Sequence, residues 1–358
     1  MKQDLICPID ISKYPLHRPL SSWEKYASPS ITAALLVLLV LAPIYPIFDF
    51  TGVFSSQTGY GRGNMGLVLV YAIVVMGLNL LIGWAGQVGL AAAGVFGFGA
   101  YMTTELYSLG VPFPIALLVS AILAFVIGIA VGFPAARLKG FFLAIATLAL
   151  GELIIKLIAL DQVGGAWLHT GGGSGRNVPA FTLFGMRASV SAYYLSLAVF
   201  VIVAVCMSVL TRGRLGRTLK AVRDIDIATG ALGISSTNYK LLAFGISTAV
   251  AAVAGGLFAQ NVTYLSPGAF RTSFMFYLLV VLIVGGVRNL WGAFIGAIFF
   301  VVLRLLLQDS TELGLLIFGV ALLTCMVILP GGLASLPARL AHSKFSKDIV
   351  SRIGGAFR

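Results

Sequence analysis

The chain reads as an all-α polytopic membrane protein with about ten transmembrane helices, some broken by glycine, and with its N- and C-termini cytoplasmic. Three observations predict this. Apolar residues make up 59% of the 358 residues and charged residues only 10%, against about 25% charged in a soluble domain. The apolar residues fall in continuous runs of about 20, the length that crosses about 30 Å of hydrocarbon as a helix, rather than in the alternating segments of about ten that build a barrel. The basic residues lie almost entirely in the polar segments between those runs.

The elements follow in order. Residues 1–30 are polar, with Lys2, Lys13, Arg18 and Lys25. They are too long and too rich in proline and acidic residues for the n-region of a cleaved signal, so 31–46 is expected to be a retained first span. The second span is placed at 65–82 and the third at 90–107, separated by a glycine break at 83–89. The fourth (113–133) opens on Pro112 and Pro114 and ends at the basic turn 134–140. The fifth covers 141–160, and a long loop with a glycine run follows at 161–190. The sixth covers 191–210. A charged segment, 211–240, separates it from the seventh at 241–262. A Ser-Pro-Gly loop leads to a short eighth span (273–287), a ninth (290–306) and a tenth (315–329). The transmembrane region is therefore 31–332, flanked by the cytoplasmic segment 1–30 and a basic cytoplasmic tail, 333–358.

Charge tests this count. With 211–240 in the cytoplasm and the spans alternating, 18 of the 24 basic residues face the cytoplasm and four, Arg62, Arg176, Arg187 and Arg271, face the other side; Lys156 and Arg304 lie within spans. That is the positive-inside bias, and it accounts for the net charge of +12 without a nucleic-acid partner. Glu105 and Arg304, near span ends, are expected to reach water. Gly128 and Gly132, Gly292 and Gly296, and the smooth stretch Ala251, Ala252, Ala254, Gly255 and Gly256 are expected helix contacts.

Several chemistries are excluded. Cys7, Cys206 and Cys325 give no disulfide framework and no metal spacing, and the two in apolar runs are expected to pack. His17, His169 and His342 lie in three separate polar segments. The glycines at 171–175 lack the Lys-Ser/Thr of a phosphate-binding loop, so no nucleotide site is present in the sequence. The chain is not expected to be an enzyme or to bind a metal or cofactor, and no catalytic cluster can be argued.

Three sites remain. The segment 211–240 carries Arg212, Arg214, Arg217, Lys220, Arg223 and Lys240. Within it Leu219, Val222, Ile225 and Thr229 share one helical face, and Gly233 stands where a helix stop belongs. A short amphipathic helix on the cytoplasmic side is expected; the plain alternative is a solvated loop that only sets topology. The second site is the break itself, with Asn79, Trp84, Gly86, Gln87 and Gly89. Broken helices are tolerated at membrane depth where backbone is buried in protein or lines a cavity. The third is Glu152 with Lys156, four residues apart on the fifth span, where a mutual ion pair is expected. It is either structural or a polar patch on a pathway.

The string GRTLKAVRDIDIATGALGI, starting at Gly216, resembles the coupling loop of permeases in the branched-chain amino acid family of ABC importers, with Gly230 where that family carries glutamate. The stretch 77–101 resembles the family's most characteristic motif, and 132–148, 266–270 and 285–296 resemble its hairpin before span five, its outer loop and its glycine hairpin. Together these cover about residues 59–330. The resemblance implies a permease subunit of the bacterial inner membrane that moves branched-chain or other apolar amino acids by alternating access. It implies a second homologous permease subunit, two ATPase subunits that carry ATP and Mg, and a periplasmic solute-binding protein, all in contact with membrane lipid. It assigns coupling to Arg217, Lys220, Arg223, Asp224, Asp226, Ala228 and Gly233, and the pathway to the break residues. Urea or short amides are the alternative cargo. An ion-coupled transporter using Glu152 and Lys156 is the alternative class.

Overall fold

The computed structural model describes residues 60–135, 140–160, 174–182, 187–224 and 235–306, with the isolated positions 319, 332 and 333. All of them fall within one compact unit, 42–335. The expected first and tenth spans and both termini lie outside the described residues, as do Cys7 and Cys325.

Helix α1 (Tyr60–Asn79) runs into a single π-helical turn, Leu80–Trp84. Then come α2 (Ala92–Ser108), α3 (Phe113–Ala135) and α4 (Phe141–Ala159). Helix α5 (Ala188–Arg212) turns at Gly213 into the short α6 (Arg214–Asp224). Helix α7 (Ser236–Asn261) is followed by a 3-10 turn at Pro267–Phe270, α8 (Thr272–Gly285) and α9 (Leu290–Leu306). A two-residue ladder pairs β1 (Arg176–Asn177) antiparallel with β2 (Tyr264–Leu265), Arg176 opposite Leu265.

Five of these helices are long and apolar enough to cross a membrane. They match the second, fourth, fifth, sixth and seventh predicted spans. The third, eighth and ninth correspond to the shorter α2, α8 and α9. Helix α8 has 14 residues, about 21 Å of helix, which falls short of the hydrocarbon thickness.

Burial sorts the helices into an inner and an outer set. The apolar window of α1 is 83% buried and that of α7 67%, whereas those of α3, α4 and α5 are 28–33% buried. Helix α7 packs on α1, α2 and α3, and α1 also packs on α5 and α9. The outer helices leave Ile115, Leu118, Ile122 and Val126 of α3, Phe142, Ile145 and Leu153 of α4, and Ile202, Val205 and Val209 of α5 exposed. Water would penalise such stripes; lipid tails would not. Cys206 is exposed on the same side of α5, so the packing expected of it is not made within the described residues of this chain.

Small residues explain how the inner helices approach. A Cβ on Gly255 would sit 1.9 Å from the Phe96 carbonyl oxygen, and one on Gly99 would sit 2.3 Å from that of Ala252. The expected smooth surface of α7 is thus where α2 crosses it. The α8–α9 hairpin closes the same way, with Gly292 against the backbone of Gly285. Its turn needs left-handed backbone at Gly286 (φ 108°) and at Arg288 (φ 72°). Above the crossing, Phe96 stacks obliquely on Phe258 and Phe274 at centroid distances of 5.3 and 5.2 Å, with Phe270 at 5.9 Å.

The two ends of the bundle are distinct. At one, Glu105 at the end of α2 forms an ion pair with Arg176. Gln260 accepts from the Phe181 N–H at 3.0 Å and donates to the Pro179 carbonyl at 3.3 Å. The expectation that Glu105 reaches water is corrected, because it is 5% exposed. Arg304 is exposed, and it also donates to the Tyr71 hydroxyl at 3.3 Å. The other end holds the break after α1, α6 and the α8–α9 turn.

Candidate functional site

The site begins where α1 stops being a helix. Gly83, Gly86 and Gly89 fall within seven residues, and each weakens a helix by about 1 kcal/mol relative to alanine. Gly86 sits at φ 68°, which a side chain would strain. The backbone accordingly widens into the π turn and then unwinds through 85–91, held by Gln87 N–H to Leu81 carbonyl at 3.1 Å and Ala85 N–H to Leu80 carbonyl at 3.1 Å. Further along, the Leu90 N–H donates to the Thr147 hydroxyl of α4 at 2.9 Å. Thr147 in turn donates to the Leu143 carbonyl at 2.9 Å.

Asn79 fixes the start of the break. It is fully buried. Its Nδ2 donates to the Asn289 carbonyl at 2.9 Å, and its Oδ1 accepts from the Arg288 N–H at 2.8 Å. One side chain thereby satisfies two main-chain groups of the α8–α9 turn, which a hairpin with left-handed residues leaves unpaired. A Cβ on Gly83 would lie 2.5 Å from Asn79 Oδ1, so glycine is what lets that amide reach the turn.

Helix α6 lies against the break. Leu219 and Val222 are 1% exposed, as the predicted apolar face requires. Arg217, Arg223 and Asp224 are on the exposed side and Lys220 is half-buried. The helix begins at Arg214. Asp226, Ala228 and Gly233, including the expected stop, lie outside the described residues. The Arg223 guanidinium donates through Nη1 to the Gly83 carbonyl, one of the acceptors the break leaves available. Its aliphatic stem passes Gly86, where a Cβ would come within 2.6 Å of Arg223 Cγ.

Two break residues have buried polar atoms without a hydrogen-bond partner, Trp84 Nε1 and Gln87 Oε1. Gly89 packs against Leu81 and Phe244. Of the predicted break residues, Asn79 thus reaches the 288–289 turn, Gly86 lies against Arg223, and Gly89 lies against Leu81 and Phe244. Glu152 and Lys156 are elsewhere on α4. The expected ion pair between them is corrected: Glu152 Oε2 accepts from the Thr272 hydroxyl at 2.7 Å, and Lys156 is exposed. The reason is geometric, since the start of α8 offers the carboxylate a donor inside the protein while Lys156 reaches outward. Sequence reasoning missed Thr147 and the turn 286–289 as parts of the site, and Thr272 as the partner of Glu152. Thr147 had only the signal of a hydroxyl in an apolar run, since its partner Leu90 is 57 residues away; the turn is recognisable only once Asn79 is seen to point at it.

Comparison with known proteins places the chain in a family. Residues 64–326 match the family described as branched-chain amino acid transport system / permease component. The high-affinity branched-chain amino acid transport system permease protein LivM of Escherichia coli K12 is 31% identical over 348 residues, covering 87% of this chain and 78% of that protein. A probable branched-chain amino acid transport permease protein LivM of Methanocaldococcus jannaschii is 26% identical, covering 80% of this chain and 96% of the relative. The autoinducer 2 import system permease protein LsrC of Escherichia coli O9:H4 is 25% identical over 75% of each chain. No solved structure matches the chain. A bundle of apolar helices long enough to cross a membrane is the architecture of a multi-pass membrane protein. The chain belongs to the permease components of branched-chain amino acid transport systems.

Proposed function

We propose that this chain is one permease subunit of an ATP-driven importer of the bacterial inner membrane, carrying branched-chain or other apolar amino acids by alternating access. A second homologous permease, two ATPase subunits holding ATP and Mg, and a periplasmic binding protein complete the machine. The residues 217–233 receive the motion of the ATPase, and the break at 83–89 converts it into a change of helix angle. One observation carries this reading: the Arg223 guanidinium of a surface helix is bonded to the Gly83 carbonyl of an inner helix where that helix is broken. A helix held only by lipid and solvent would have no such handle on the core. Its exposed face, with Arg217 and Asp224, offers charged groups to a soluble partner.

The experiment is reconstitution. Liposomes holding the complete complex should accumulate labelled leucine only with ATP inside the coupling compartment and loaded binding protein on the other side. This chain alone should accumulate none. Concentration of leucine by this chain alone, driven by an ion gradient, would replace the importer with the ion-coupled alternative. Competition by urea and by autoinducer 2 in the same liposomes reads the cargo class, since relatives named for autoinducer 2 belong to the set.

A further inference from the structure

Glu152 is a carboxylate on an apolar helix long enough to cross a membrane. It lies eleven residues into α4, about 16 Å along a helix from the end that approaches the break through Thr147. Its hydrogen-bond donor, Thr272, opens α8, whose 14 residues run about 21 Å to the turn at the same end. Both lengths are shorter than a hydrocarbon layer of about 30 Å, so the carboxylate lies between the two ends of the apolar helices. An ionised side chain at that depth is costly and normally pairs with a cation. Among the described residues none pairs with it: Lys156, one turn along, is exposed, and the carboxylate is bonded to a neutral hydroxyl.

The surroundings are apolar apart from that hydroxyl. Glu152 and Thr272 border a narrow cleft between α2, α4 and α8, lined also by Leu90, Leu148, Ile155 and Met275. Leu90 belongs to the unwound stretch, and Thr272 follows the irregular segment 262–271. The cleft therefore sits where two departures from helix meet, the setting in which membrane carriers hold polar parts of a solute. Gly94 and Gly151 set its depth, because a Cβ on Gly94 would lie 2.3 Å from the Gly151 carbonyl oxygen.

We propose that Glu152, held by Thr272, is the subsite for the α-ammonium group of a cargo amino acid, in a cleft with room for a group about the size of a water molecule. This rests on the reading of the chain as a permease for apolar amino acids. The carboxylate supplies the charge complement that such a cargo needs in an apolar passage.

The test uses the purified permease–ATPase complex in nanodiscs without binding protein, so that cargo reaches this site directly. Labelled leucine is titrated against 3-methylbutylamine, which keeps the ammonium and side chain, and 4-methylpentanoate, which keeps the side chain and a carboxylate. Displacement of leucine by the amine and not by the acid is expected. Glu152→Gln, which retains an acceptor for Thr272, should weaken leucine binding at least tenfold with an unchanged melting temperature. Glu152→Asp should recover part of it. Displacement by the acid alone, or undiminished leucine binding in Glu152→Gln, overturns the subsite. Those outcomes leave ATP-driven leucine uptake by the wild-type complex intact, whereas loss of that uptake would count against the permease reading itself.

Discussion

Asn79 shows how much a single buried amide does here. Its two bonds to the 288–289 main chain join positions 209 and 210 residues apart. Asn79→Leu would leave a part-buried N–H and a part-buried carbonyl without their partner, and a fully buried group so stranded costs about 1–3 kcal/mol in general. The expected loss is about 2 kcal/mol, because partners found in the unfolded membrane state reduce such costs. Asn79→Asp keeps the acceptor for Arg288 and loses the donor to Asn289, so it should lose less than the leucine variant. Reversible unfolding in mixed micelles measures both. Asn79 was legible in the sequence as a polar residue beside glycines, but its partners were not, because no local pattern marks a turn so distant along the chain. Glu105 was misjudged for the same reason. Position near a span end suggests water, and only the β1–β2 ladder brings Arg176 over it.

Among the elements, α6 was the most readable. An apolar face of Leu219 and Val222 set in a basic string predicts an amphipathic helix by period alone, and both residues are buried. The break after α1 was equally readable from Gly83, Gly86 and Gly89. What period cannot supply is which helix each smooth face meets. The stretch at 251–256 announced a close contact, and only the fold shows that α2 supplies it. Gly255→Val tests that contact. Its branched side chain would begin 1.9 Å from the Phe96 carbonyl oxygen, and the obstacle is backbone rather than a mobile side chain. Helices α2 and α7 must then separate, with the aromatic cluster above them. The variant should lose most of its monodisperse fraction in detergent, read by fluorescence-detected size exclusion, whereas Gly110→Ala, with open space at its Cβ but left-handed backbone, should lose about 1 kcal/mol.

At the scale of the whole molecule, α7 and α1 form the core and α3, α4 and α5 present apolar faces outward. The charge alternation along the chain predicted which loops share a side. The structure groups them accordingly: 83–89, 223 and 286–289 at one end, and 105, 174–182 and 260–265 at the other. The inference from Glu152 and Lys156 failed at this scale. Spacing of four on a helix makes a pair available, but Thr272 from another helix competes for the carboxylate, and Lys156 on an outer helix extends outward.

The central claim is that a surface helix moves the inner break through Arg223. Arg223→Ala keeps Leu219 and Val222 seated and removes the guanidinium from the Gly83 carbonyl. The measurement is leucine imported per ATP hydrolysed by the reconstituted complex. The account predicts ATP hydrolysis within about twofold of wild type and import reduced at least tenfold. An unchanged ratio in a correctly assembled Arg223→Ala complex would contradict it.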